Sequence, residues 1–457
     1  MLQEIINITN TYTKSHDKMS RKYKGQFFTP LSIALSMAKY TAMKTNTMTI
    51  LEPGAGNGIL SAALIFHCIN NNLCHSFCID FVENDPDVIP TLKKTAQMIE
   101  RYVADHNGTI NINIYAVNFL TEPIKSSYDV VICNPPYKKI RKDSDEARYL
   151  KKYVHGQPNL YALFMCKALD CLRRGGKFAF ITPRSWTSGS YYKAARKHIL
   201  MNLNISDLIL FESRNNVFES EDVLQETLIT IGCKDTLQNK TVNVYYSNGS
   251  LQDLYLTEAP ASTIKCVGKD NYLLLPISEH DLEIVQNMAS KTDTFESLGY
   301  CFKTGPVVEF RNKKAISNEP KDGFVPMYRS ANIVNGTFVF PVSTPKPQYI
   351  DATKEKLLLP DTNTVLLKRL SSKEEKRRLQ SCVYYGKNNN KNSYISIENH
   401  VNYVIHTDGS PLIDEEAEWI QQILASDEYD TYYRLINGST QVNATELNQL
   451  PLDRRIH

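Results

Sequence analysis

Asn134, Pro135, Pro136 and Tyr137 follow the apolar run DVVIC, and together they form a rigid polar corner at the end of a predicted strand. Two prolines stop a strand ladder and fix the backbone that follows. Pro135 offers a carbonyl without an N–H, Asn134 an amide oxygen and Tyr137 a flat ring. Such a corner can accept two hydrogen bonds from a planar NH₂ group and stack on the ring that bears it. An exocyclic amine fits. Upstream, Gly54, Gly56 and Gly58 in LEPGAGNG follow a predicted strand that stops at Pro53, and they open a predicted helix. Glycines there let the backbone turn tightly and approach a ligand at the helix N-terminus. Glu83 in FVENDP closes the next strand, about 25 residues on, where a carboxylate can accept both ribose hydroxyls. Glycine loop and carboxylate together suit NAD or S-adenosylmethionine.

These residues need a scaffold, and the first half of the chain supplies its pattern. Apolar strands are predicted at 47–53, 76–83, 112–117, 128–134 and 176–183, alternating with helices at 33–43, 59–70, 87–104 and 159–173. A further helix and the strands SDLILF and VLQETLITIG complete the unit near residue 234. Alternation of this length predicts a doubly wound α/β domain with ligands at the carboxyl ends of the strands. After residue 245 the alternation is lost, and short apolar runs are broken by polar turns such as SNGS and NGST. The expected division is 1–245 and 246–457, with the boundary between 235 and 295.

Composition sets outer limits. A 457-residue chain that is 42% hydrophobic and 22% charged predicts a globular protein of two or three domains. No stretch approaches the roughly 20 apolar residues of a membrane span, and MLQEIINITN lacks the pattern of a signal peptide, so a cytoplasmic location is expected. The ten cysteines include no CxxC pair and are expected to be reduced. Cys68, Cys74, His75 and Cys78 read as core packing, and no metal is expected.

The motif set resembles the adenine-N6 DNA methyltransferases of the TaqI type, in the gamma order of motifs. GQFFTP (25–30) resembles the family's N-terminal motif, LEPGAGNG its cofactor loop, FVENDP its ribose-binding motif and VVICNPPY its catalytic motif. Residues 159–186 are similar to the helix and strand that follow NPPY in the family. The resemblance implies a Rossmann-like catalytic domain that binds S-adenosylmethionine and methylates a flipped-out adenine in double-stranded DNA, within a restriction-modification system. It implies that Asn134 and the Pro135 carbonyl hold the target amine and that Tyr137 stacks on the base. VFESEDVLQETLIT (217–230) resembles the segment whose Phe packs against that base, here Phe218. Thr29 and Pro30 correspond to positions lining the methionine part of the cofactor. Glu52 stands beside the glycine loop, where it could meet the cofactor's amino group through water. Where the family usually has an Asp that binds the cofactor's adenine amine, this chain has Asn118, whose amide oxygen can still accept that bond.

VPMYRSANIVNG (325–336) and VNATELNQLPLD (442–453) look like parts of the family's target-recognition domain, a mixed α+β unit. The net charge of +3 conceals a segment, 301–400, with 17 Lys and Arg against 9 Asp and Glu. Its densest run, KRLSSKEEKRRL (368–379), would as a helix present Lys368, Arg369, Lys373, Lys376, Arg377 and Arg378 to DNA phosphates, with FKTGPVVEFRNKK (302–314) adding more. Pro360-Asp361 with Glu374 and Lys376 matches a loose nuclease pattern that arises easily by chance. Duplex DNA is the expected partner, a cognate endonuclease a second, and a monomer the expected state. Alternatives are a methyltransferase acting on RNA, cytosine N4 or a protein glutamine amide, or a catalytically silent DNA-recognition subunit.

Overall fold

The computed structural model describes all residues except 17, 125–126, 212–225, 236, 238, 248–253, 266, 373–374, 387–392, 438–439 and 454–457. The chain divides into two compact units, Met1–Leu282 and Glu283–His457.

The first unit is built on nine strands, β1 (Met48–Pro53), β2 (Ser76–Val82), β3 (Thr109–Tyr115), β4 (Tyr128–Cys133), β5 (Leu172–Pro183), β6 (Leu203–Phe211), β7 (Thr227–Lys234), β8 (Thr241–Ser247) and β9 (Tyr255–Pro260). Their order is β3-β2-β1-β4-β5-β7-β6-β8-β9. Strands β1 to β5 run parallel, and β7 lies antiparallel between β5 and β6. The order reverses between β1 and β4, which is where an open parallel sheet leaves a crevice at its strand ends.

Eight helices matter to the site: α1 (Leu2–Ser15), α2 (Lys18–Lys24), α3 (Leu31–Thr41), α4 (Ile59–Asn70), α5 (Ile89–Asp105), α6 (Asp145–Tyr149), α7 (Leu160–Cys171) and α8 (Lys193–Asn202). Helix α4 is apolar nearly all round and buried along most of its length, because α3 and α5 cover it against the sheet. Helix α5 is amphipathic, burying Leu92, Ala96, Ile99 and Val103 at helical spacing. One apolar core joins Ile5, Met37, Ile65, Ile99, Ile50 and Ile132. The alternate residues of β4, Val131 and Cys133, are buried as well, and α7 packs on β4 and β5. The central strands are thus covered on both faces, as their unbroken apolar pattern requires.

The sheet does not stop at residue 245. Strand β8 pairs parallel with β6, and β9 pairs antiparallel with β8, so the first unit runs to Leu282. In β8 and β9 buried residues alternate with exposed ones, a pattern that in sequence looks like the start of a different domain.

The second unit is mixed. Strands Tyr300–Thr304, Val401–His406, Thr364–Lys368 and Ser381–Tyr384 form an antiparallel sheet in that order. A five-stranded sheet contains the parallel pair Phe324–Tyr328 and Tyr394–Ile397. Helices Asp414–Ala425, Asp427–Ile436 and Ala444–Asn448 follow. The Tyr328 hydroxyl donates to Tyr384 at 2.9 Å, and Tyr384 donates to buried Asp361 at 2.6 Å. Asp361 therefore serves the core and not the nuclease pattern, whose Glu374 lies outside the described residues.

Candidate active site

The glycine loop joins β1 to α4 at the reversal point. Gly54, Gly56 and Gly58 have φ of +63°, +56° and +74°, where side-chain-bearing residues are strained. At Gly58 an added Cβ would also lie 2.9 Å from Leu92 Cδ1. The Gly54 and Ala55 N–H groups donate to the Val82 carbonyl at 2.7 and 3.1 Å, tying the loop to the end of β2.

Glu83 is the hub of this region. Its carboxylate accepts from Gly56 N–H and from Asp85 N–H, each at 2.8 Å. A carboxylate has about four acceptor positions, so capacity for ligand hydroxyls remains. Burial pushes its pKa up. Glu83 lines a cavity of about 460 Å³, whose wall also includes Phe28, Gly54, Gly56, Asn118 and Asn134. That volume is in the range of small-molecule sites. Asn118 is held at both ends: its Nδ2 donates to Glu146 at 3.0 Å, and its Oδ1 accepts from Leu120 N–H at 3.0 Å. One lone pair of that oxygen is left for a ligand donor.

Asn134 has the most telling geometry. Its Nδ2 donates to the Phe27 carbonyl at 2.8 Å and to Thr29 Oγ1 at 3.1 Å. A carbonyl can only accept, so these contacts fix which end of the amide faces which way. The Oδ1 atom is buried, and no donor among the described residues reaches it. Buried polar atoms are normally paired, and an orphan in a cavity wall marks a place for a ligand donor. Pro136 lines the same cavity, while Pro135 is buried behind it.

Tyr137 does not line that cavity. Its ring packs against Phe27 and Tyr161, its hydroxyl donates to the Ile181 carbonyl at 3.1 Å, and its N–H donates to the Gly25 carbonyl at 3.2 Å. Thr29 Oγ1 accepts from Asn134, and Pro30 precedes α3, its carbonyl accepting from Ala34 N–H. Pro53 ends β1 and accepts from the Cys133 thiol at 2.9 Å. Glu52 points away from the cavity: its carboxylate accepts Ser61 N–H at 2.9 Å in the first turn of α4, and burial pushes its pKa up to about 8. Phe218 lies outside the described residues.

Three contributors escape a reading based on the motif cores. Gly25, with φ +71°, lets its segment pass close to the corner at 134–137, since an added Cβ would stand 3.1 Å from Tyr137 N. Lys24 bridges Asp85 and Asp87, each at 2.9 Å, and so staples residues 24–29 to the loop after β2. Glu146 orients Asn118 from a helix distant in sequence. Of these, Gly25 carried a signal, as the first residue of GQFFTP.

In the second unit, the run at 368–379 is not a helix in its described residues. Arg378 is fully buried, donating from Nε to Ser371 Oγ at 2.9 Å, and cannot meet a phosphate. Arg369 donates to the Asn399 carbonyl at 3.0 Å, and Arg377 pairs with Asp427 at 2.5 Å. Lys373 lies outside the described residues. Lys368, Lys376 and Arg377 do converge, with Asn335, Gln380 and Gln421, on a cavity of about 780 Å³.

A doubly wound sheet whose glycine loop, acidic strand end and amide acceptor meet at the reversal point is the architecture of methyltransferases that draw on S-adenosylmethionine. Comparisons with known proteins narrow this class. A family model for the Eco57I restriction-modification methylase matches residues 60–218. The type II methyltransferase M.BsuBI of Bacillus subtilis is 31% identical, covering 94% of this chain and 88% of its own. M.PstI of Providencia stuartii is 30% identical, covering 95% and 88%. The chain belongs to this family, the type II DNA methyltransferases of restriction-modification systems, and its cofactor is S-adenosylmethionine. Among solved structures, the type IIL restriction-modification enzyme MmeI, in complex with DNA, shares the fold: TM-score 0.51, 12% identity, covering 97% of this chain and 66% of that one. No helix among the described residues is long and apolar enough to cross a membrane.

Proposed function

We propose that this methyltransferase modifies the N6 amine of adenine, presented by flipping the base out of duplex DNA. The observation that supports it is Asn134, whose amide nitrogen is pinned by Phe27 and Thr29 while its buried oxygen is left without a donor. An acceptor so placed calls for a substrate N–H. The N6 lone pair of adenine is delocalised into the ring, so the amine must be drawn toward tetrahedral geometry before it can attack. Asn134 Oδ1 and the Pro135 carbonyl accept hydrogen bonds from its two N–H groups. Positioning of this kind contributes on the order of 7 to 11 kcal/mol in well-oriented reactions, so no His or Glu base is required. The residues fit the cofactor: Glu83 would take its ribose hydroxyls, Asn118 Oδ1 its adenine amine, and the glycine loop its close backbone approach. When bound, S-adenosylmethionine supplies an electrophilic sulfonium methyl.

Residues Glu283–His457 provide target recognition in this reading, with Lys368 and Lys376 as phosphate contacts beside the larger cavity. The chain acts in the cytoplasm as a monomer alongside a cognate endonuclease. Incubation with plasmid DNA and labelled S-adenosylmethionine, followed by digestion to nucleosides, tests the target. N6-methyladenosine's deoxy form is the expected product, and label in N4-methylcytosine would overturn the assignment.

A further inference from the structure

The segment from Lys138 to Asn159 leaves the catalytic corner directly after Tyr137 and returns at the start of α7. Backbone bonds stitch its feet together, Ile140 N–H to the Pro158 carbonyl at 3.0 Å and Leu160 N–H to the Lys138 carbonyl at 2.9 Å. Its inner side belongs to the cofactor cavity, where Lys138, Ile140 and Glu146 form part of the wall. Its outer side is cationic: Lys139, Arg141, Lys142, Arg148, Lys151 and Lys152 are all exposed. Some of that charge is compensated. Arg141 pairs with Asp143 at 2.6 Å, Arg148 with Asp145 at 3.6 Å and Lys152 with Asp170 at 3.4 Å. Lys139, Lys142 and Lys151 have no carboxylate partner among the described residues.

A run of lysines is usually a solvated face, and two observations set this one apart. The loop is pinned at both ends, which holds its cations in a defined place. For Lys139 and Lys142 that place is the rim of the site that takes the target base, since Lys138 and Ile140 beside them line it, whereas Lys151 lies lower, next to Lys152 and Tyr153, which bind Asp170 in the last turn of α7. Duplex DNA carries one charge per about 1.7 Å of axis, so a nucleotide entering the site brings its flanking phosphates past this rim. We infer that Lys139 and Lys142 bind the phosphates flanking the target nucleotide, giving the catalytic unit its own DNA-backbone contact. The inference rests on the target base entering at Asn134.

The test is a double variant of the full chain, Lys139→Ala with Lys142→Ala, beside a control, Lys93→Ala and Lys94→Ala, which removes exposed charge on α5. Affinity for a fluorescent duplex is measured across a salt series. Each lost phosphate contact lowers the slope of log K against log salt by about 0.9, so the double variant should lose roughly 1 to 2 in slope and bind at least about tenfold more weakly near 0.1 M salt. The control should match wild type in slope, and cofactor affinity by calorimetry should be unchanged in both. A wild-type slope in the double variant, or an equal loss in the control, would overturn the inference. The binding slope is independent of which base becomes methylated, so this outcome and failure of the adenine assignment remain distinguishable.

Discussion

Residues 138–152 carry seven Lys and Arg in fifteen positions, and residues 368–378 carry six in eleven. The denser run is the one the fold absorbs. In the second unit the helix Asp427–Ile436 brings Asp427 and Asp430 against it: Asp430 Oδ1 accepts the backbone N–H groups of Arg378 and Leu379 at 2.7 and 2.8 Å, and its Oδ2 takes Arg434 Nε at 2.9 Å. In the first unit the acids available to 138–152 are few, so Lys138, Lys139, Lys142 and Lys151 have no carboxylate partner among the described residues. Charge density along a sequence therefore ranks DNA contacts poorly, because the counter-charges arrive from elements far away in the chain.

The largest effect expected from this contrast is on stability. Asp430→Ala leaves two buried N–H groups and a partly buried guanidinium without their acceptor, which should cost about 3 to 5 kcal/mol. Chemical unfolding of the second unit measures it, and an unchanged midpoint would mean that the run is not structurally absorbed.

Buried carboxylates show the same division. Asp430 has a cation, whereas Glu52 has only backbone and hydroxyl donors, and burial raises its pKa from 4.5 to about 8. A carboxyl whose folded pKa is raised contributes stability that is fully present below its unfolded value and is lost as pH rises through the folded one. The first unit should thus lose stability as pH rises from 4.5 toward about 8. Glu52→Gln should flatten that dependence in thermal melts, and a parallel pH profile in the variant would contradict it.

A smaller effect is predicted in the second unit for Lys376→Ala, which should lower the salt slope of DNA binding by about 0.9. Smallest of all, Arg377→Ala removes a pair whose acid, Asp427, is 98% exposed. Its effect on the unfolding midpoint should correspond to less than about 1 kcal/mol. A loss as large as that of Asp430→Ala would erase the distinction between surface and absorbed charge.

Much of the fold was legible because buried parallel strands are nearly continuous apolar runs and their helices repeat at a helical period. The strand at 112–117 was displaced to Thr109–Tyr115, since TININIY lies at a sheet edge and alternates in burial. The site was legible where one contiguous motif holds it: Asn134, Gly54, Gly56, Gly58 and Glu83 all reach the reversal point. Its second layer was not. Glu146 and Lys24 act across distances that no local pattern encodes, and the direction of Glu52 depends on where α4 begins. The helix expected at 368–379 failed because Asp430 satisfies the N–H groups of Arg378 and Leu379, giving the backbone a partner that a helix would otherwise supply.

The central claim is that Asn134 Oδ1 receives the target amine. Its most direct test is the single-turnover rate of methyl transfer to duplex DNA by Asn134→Ala, with cofactor affinity measured on the same preparation. A fall of at least about 100-fold is expected, the scale on which a lost positioning contact acts, with cofactor binding retained. Methylation at a near wild-type rate by that variant would contradict it.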